Sequence, residues 1–138
     1  MTRLILDTNV LVSFVTDRAP EQQQIARSLF DQAAEGTIRL LLTQIALSEM
    51  VYVLRNLYGI TDQKIAALLP DLFALPGVVI FDELPWSRLL KIWPSEIRDF
   101  GDACLAAIAI AGHGDAVVTF DKKFQQCLGS RGIAYPWE

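Results

Sequence analysis

The sequence predicts an α/β protein of three layers, α/β/α, with a central, mostly parallel sheet of four to five strands and helices on both faces. Three observations predict it. Short apolar runs at residues 4–6, 38–42, 78–80 and 116–120 have the length and near-unbroken hydrophobicity of strands buried on both sides. Longer stretches with helical spacing separate them, so strands and helices alternate. Hydrophobic residues make up 52% and charged residues 20%, enough apolar material for a core and too much for a disordered chain. The 138 residues are read as one domain, 1–138.

The first strand, Leu4-Ile5-Leu6, is followed by a short helix to about Val15. Ala19-Pro20 opens a second helix, with Ile25, Leu29 and Ala33 on its apolar face, and Gly36 ends it. After the strand at 38–42, Thr43 is placed to cap a helix that carries Ile45, Leu47, Met50, Val51, Leu54 and Leu57 and stops at Gly59. Thr61 caps the next helix, in which Pro70 predicts a kink or a split. Pro76-Gly77 is a turn into the strand at 78–80. Residues 84–93 read as a helix with Pro85 in its first turn. Asp99 caps an alanine-rich helix over 100–111, whose small residues let it lie close against a sheet. The strand at 116–120, a short helix at 122–128 and an edge strand at 133–135 complete the chain.

No apolar stretch is long enough to span a bilayer, and Asp7 and Asn9 interrupt the only segment resembling a signal peptide. Cys104 and Cys127 match no metal motif and are read as free thiols of a reducing compartment. The expected location is therefore the cytoplasm. The single histidine, His113, lies between glycines and reads as a loop residue, which leaves zinc without a ligand set.

The chemistry lies in the acids. Asp7 directly follows the first strand and Asp121 the fourth, and open α/β sheets bind ligands outside the carboxyl ends of their strands. Asp102 falls in the first turn of the helix capped by Asp99, and Glu49 about one and a half turns into the helix after Thr43, both near that end. Four carboxylates brought together repel one another, and a divalent cation resolves the repulsion. Oxygen ligands suit Mg²⁺ or Mn²⁺. Each acid also has a plain structural role open to it: Asp7, Asp99 and Asp121 as helix caps, Asp102 as a first-turn acid favoured by the helix dipole. The net charge of −4 disfavours a nucleic-acid partner at first sight. Setting the four site acids aside leaves 12 acids against 12 Lys and Arg, so the charge does not exclude one. Lys122, Lys123 and Arg131 form a basic cluster at the same end, with Lys91 and Arg98 as candidates to join it. Trp86, Trp93 and Trp137 are assigned to packing rather than to stacking on bases.

In order along the chain, Leu6-Asp7-Thr8-Asn9-Val10-Leu11, Ala46-Leu47-Ser48-Glu49 with Leu54 and Tyr58-Gly59, Asp99-Phe100-Gly101-Asp102-Ala103, and Val118-Thr119-Phe120-Asp121-Lys122-Lys123-Phe124 resemble the four motifs of PIN-domain proteins, in particular the VapC-type toxin ribonucleases of bacterial toxin–antitoxin pairs. The resemblance implies a PIN-like fold and endonucleolytic cleavage of RNA by water activated by Mg²⁺ or Mn²⁺, leaving 5′-phosphate and 3′-hydroxyl ends. It implies Asp7 and Asp102 as principal metal ligands, with Glu49 and Asp121 completing the acidic site. Thr119 would hold a water or ligand through its hydroxyl, and Asn9 would orient Asp7. Asp99 is the alternative to Asp102, which is preferred because Ala103 follows it. A homodimer and an antitoxin lying over the active-site groove are the implied partners. The competing readings are a catalytically silent RNA-binding or scaffold protein on the same fold, a flap-endonuclease-like activity on DNA, and a phosphatase or receiver. The phosphatase pattern wants an acid where Asn9 stands, and a receiver wants acids before Asp7 where there are none.

Overall fold

The computed structural model describes residues 1–137. Its elements are β1 (Thr2–Leu6), α1 (Thr8–Val15), α2 (Pro20–Ala34), β2 (Ile38–Thr43), α3 (Gln44–Asn56), α4 (Asp62–Phe73), β3 (Val78–Phe81), α5 (Trp86–Ile92), α6 (Phe100–Ile110), β4 (Ala116–Val118) and α7 (Lys122–Gly129). The four strands form one sheet in the order β3-β2-β1-β4, and every pairing is parallel. Leu4 stands opposite both Leu40 and Ala116, and Leu41 opposite Val79.

Alternation along these strands divides the core between the two faces of the sheet. Leu4, Leu6, Leu40, Leu42 and Val118 point to one side and pack with α1, α2, α3 and α4. Ile5, Leu41 and Val117 point to the other and pack with α5, α6 and α7. Each fully buried leucine contributes about 2 kcal/mol of transfer free energy. The expected three layers are present, and the alanines of α6, buried from Ala103 to Ala109, let that helix lie close to the sheet. Among the described residues no helix is long and apolar enough to cross a membrane.

The differences from the sequence reading are local. In α2 the buried stripe is Ala26, Leu29, Phe30 and Ala33, while Ile25 is exposed; the small Ala26, not the larger Ile25, sets the phase. Leu57 falls just past α3 as its C-cap and is also exposed. Pro70 does not split α4. Pro85 is the N-cap of α5 rather than a residue of its first turn. β4 stops at Val118, two residues early: Thr119 turns its hydroxyl to Asp7, and Phe120 packs on the core beside Trp137. The expected strand at 133–135 reduces to one parallel bridge between Ala134 and Val117. Gly77 takes a positive φ of 81°, and a Cβ there would meet the Ala33 carbonyl oxygen at 2.6 Å, so the turn into β3 needs glycine on both counts.

Candidate active site

The helices of the first two crossovers all pack on one face. The third crossover, carrying α5 and α6, moves to the other face and brings β4 in beside β1. The strand order therefore reverses between β1 and β4, where an open α/β sheet forms its crevice. Asp7 leaves β1 at that point, and its N–H donates to the Val118 carbonyl at 2.9 Å, tying the two strand ends together.

Asp7 is also the N-cap of α1. Its Oδ1 accepts from the Thr8 N–H at 2.8 Å and its Oδ2 from the Thr119 hydroxyl at 2.7 Å. The residue is 8% exposed. Burial raises its pKa above the ordinary aspartate value; the bonds from Thr119 and Thr8 work against this, and repulsion from Glu49 and Asp121 adds to it.

Thr119 is fully buried. Its hydroxyl donates to Asp7 and accepts from the Asn9 side-chain amide (3.1 Å) and the Asp121 N–H (3.1 Å). One donor and two acceptor positions are all a hydroxyl has. Its protein partners thus account for all three, and the bond it donates fixes the Asp7 carboxylate. Asn9 completes the frame, its amide also 3.5 Å from Asp7 Oδ2 and its carbonyl oxygen accepting from the Phe120 N–H.

The other three acids line the same cleft from separate helices. Glu49 of α3 accepts a bond from the Thr8 hydroxyl at 2.9 Å through Oε2. Its Oε1 occupies the place a side chain at position 101 would take: a Cβ on Gly101 would stand 2.6 Å from it. The glycine in the first turn of α6 therefore gives Glu49 access to the end of that helix. Asp102, in the same turn, is half-buried. Burial first, then repulsion from Asp7, Asp99, Asp121 and Glu49, raises its pKa from 3.8 to about 7. Asp121 caps α7, its Oδ1 accepting from the N–H groups of Lys123 and Phe124. Asp99 lines the cleft too, with Oδ1 spent on capping α6 through the Asp102 N–H at 2.8 Å.

The cleft has a volume of about 400 Å³. None of its acids is paired with a lysine or arginine: the ion pairs among the described residues are Arg3–Asp115, Arg55–Asp62 and Arg131–Glu96. The last removes Arg131 from the expected basic cluster, while Arg98 and Lys123 line a groove adjoining Asp102 and Asp121. Three residues in or beside the cleft, Thr8, Gly101 and Arg18, have no role assigned by the sequence. Thr8 and Gly101 stand in the quoted motifs beside the acids, and Arg18 lies in the connection between α1 and α2. Both cysteines are free, and burial raises the Cys104 thiol to about 11.

The donor set fits a hard divalent cation. Every candidate ligand is a carboxylate oxygen, and two of the four acids are held where the ionised form is disfavoured with no protein cation to relieve them. Among the described residues, no three acidic, histidine or cysteine side chains are gathered closely enough to chelate one ion directly.

The family model described as the PIN domain matches residues 3–123. The chain belongs to that family. Its fold is similar to that of VapC20 of Mycobacterium tuberculosis, described as a sarcin–ricin-loop-cleaving toxin, with a TM-score of 0.67 and 14% identity over 95% of this chain and 96% of that one. It is also similar to a chain of VapBC2 from Rickettsia felis, solved bound to a DNA fragment from their promoter, with a TM-score of 0.62 and 16% identity over 91% and 93%. No curated protein matches the chain by sequence.

Proposed function

We propose that the protein is a metal-dependent endoribonuclease, the toxin of a type II toxin–antitoxin pair, acting through Asp7, Glu49, Asp102 and Asp121. The observation that carries this reading is the meeting of four carboxylates from four segments in one cleft, none of them paired with a lysine or arginine. A merely structural set of acids would pair with bases or disperse. The likeness to VapC20 and VapBC2 supports the same reading.

Asp7, Asp102, Glu49 and Asp121 would hold Mg²⁺ or Mn²⁺. Bound there, the cation supplies positive charge at the phosphate and makes water more acidic. The chain's own part is to fix the oxygens in advance. Thr119 and the Thr8 N–H hold Asp7, the Thr8 hydroxyl holds Glu49, and the α7 cap holds Asp121 through one oxygen while the other stays free for the cleft. Fixing ligands in this way removes reorganisation from the chemical step. Asp102, with a pKa near 7 before any cation binds, gives up its proton readily at neutral pH. With water as the nucleophile the 2′-hydroxyl is not consumed, so the products carry 5′-phosphate and 3′-hydroxyl ends. An antitoxin segment over the cleft and a homodimer belong to this proposal, as does the assignment of 1–138 to one domain. The alternative of a catalytically silent RNA-binding protein is weakened by the retention of all four acids.

The test is cleavage of a total RNA pool by protein freed of any co-purifying partner, in Mg²⁺, Mn²⁺ or chelator. Asp7→Asn, Glu49→Gln, Asp102→Asn and Asp121→Asn are run in parallel. Metal-dependent fragments that each substitution suppresses support the reading. Cleavage that survives Asp7→Asn at the wild-type rate overturns the site.

A further inference from the structure

The acidic cleft does not end at its carboxylates. On one side it shares Asp102 and Asp121 with a groove of about 320 Å³ that Arg98 and Lys123 line. On the other it shares Arg18 and Tyr58 with a groove of about 380 Å³. The three spaces adjoin through these shared residues, and each flanking groove sets cations beside acids: Arg18 beside Asp17 in one, Arg98 and Lys123 beside Glu96, Asp99, Asp102 and Asp121 in the other.

Arg18 is the only lysine or arginine that lines the central cleft, and it makes no ion pair among the described residues. It is held nonetheless. Its guanidinium lies over the Tyr58 ring, 4.3 Å from the centroid, and that ring packs in turn against the core. A free surface arginine samples many rotamers; one stacked on an anchored aromatic keeps its planar fork in place, the geometry that grips a phosphate through two N–H groups. A cation is needed here, because the chain carries a net charge of −4 and the acids of the cleft repel a polyanion. Attraction must come from fixed positive groups on either side of them. A groove flanked by cations in this way is the form that tracks the backbone of a single strand.

We propose that Arg18, stacked on Tyr58, is a phosphate-binding residue for the substrate strand on one side of the cleaved bond, with Arg98 and Lys123 holding the strand on the other. This rests on the ribonuclease reading and assigns its substrate path: single-stranded RNA laid along the cleft and its flanking grooves. Tyr58 acts through Arg18 and is a positioning residue.

The experiment compares wild type, Arg18→Ala, Arg18→Lys and Tyr58→Leu by two readouts. The first is KM and kcat on a short single-stranded RNA spanning a mapped cleavage site. The second is binding of a mixed-sequence single-stranded RNA, as a function of salt, to the same variants carrying Asp7→Asn. Arg18→Ala is expected to raise KM about tenfold with kcat little changed, the loss of one charge-assisted hydrogen bond. It should also lower the slope of log affinity against log salt by about 0.7, the value for one phosphate contact on a single strand. Arg18→Lys should keep the slope and lose part of the affinity, and Tyr58→Leu should behave like a weaker Arg18→Ala. A merely structural arginine would not move the salt slope. Unchanged KM and slope in Arg18→Ala overturn the clamp while cleavage by the wild type leaves the ribonuclease reading standing. If wild type cuts no RNA, that reading fails, and the salt slope still decides the clamp; an unchanged slope, or no binding at all, overturns it.

Discussion

Metal-free protein should lose stability as pH rises from about 4 to 7, the opposite of a protein whose carboxylates are stabilised by salt bridges. The cause is Asp102, whose pKa the fold raises from 3.8 to about 7, with Asp7 raised in the same direction. Below the unfolded-state value Asp102 is neutral in both states and nothing is lost. As pH climbs towards 7 the unfolded chain releases the proton while the folded one keeps it, so stability falls, levelling once the folded group has ionised. The raise in Asp102 alone corresponds to about 4 kcal/mol. Asp102 is only half-buried, and solvent screening brings this to about 2 kcal/mol. For a chain of this size that is a fall of about 6 °C in melting temperature. The assay is thermal unfolding in chelator at several pH values, for wild type and Asp102→Asn. The variant should flatten most of the slope. Adding Mg²⁺ or Mn²⁺ should stabilise the wild type more at pH 8 than at pH 5.5, because ligands must be deprotonated to bind. A metal-free wild type whose stability is flat or rises over this range, or a variant that keeps the full slope, would refute the electrostatic account of the site.

Other substitutions separate framework from chemistry. Thr119→Val leaves the Asp7 carboxylate, the Asn9 amide and the Asp121 N–H without their shared partner, and should cost about 2 kcal/mol in denaturant unfolding. Thr119→Ser should retain most of both stability and cleavage, and equal losses in the two variants would contradict a role for the hydroxyl. Gly101→Ala puts a Cβ where Glu49 Oε1 lies, so cleavage should fall at least tenfold. Unfolding should hardly change, since the displaced group is the end of a flexible side chain and alanine favours the helix by about 1 kcal/mol. Gly77→Ala should do the reverse. Both its positive φ and the Ala33 carbonyl resist a side chain, so melting should fall by several degrees with cleavage per folded molecule intact.

Much of this architecture was legible in the sequence because strand and helix periodicities dominate it. Leu4-Ile5-Leu6 and the buried alanines of α6 could belong to little else than a covered parallel sheet, and Thr43, Thr61 and Asp99 cap helices where their chemistry predicts. Phase was harder to read where small residues do the packing, as Ala26 does in place of Ile25. Asp7, Asp102 and Asp121 were legible because each sits at a strand exit or a first turn, positions a parallel sheet brings to one end; Glu49, one and a half turns into α3, stood out as a carboxylate in an apolar stretch. The support around them was not. That Thr119 spends its hydroxyl on Asp7, that Gly101 yields space to Glu49 and that Arg18 lies on Tyr58 are contacts between segments, and no local pattern encodes them.

The measurement that bears most directly on the central claim is the chemistry of the RNA ends left by the purified protein, read by ligation to 5′-monophosphates and by the requirement for added metal. The account predicts 5′-phosphate and 3′-hydroxyl ends that appear in Mg²⁺ or Mn²⁺ and vanish in chelator and in Asp7→Asn. Fragments with 5′-hydroxyl and cyclic-phosphate ends, formed equally in chelator, would contradict it, because they would make the 2′-hydroxyl the nucleophile and leave the four carboxylates without a part in the reaction.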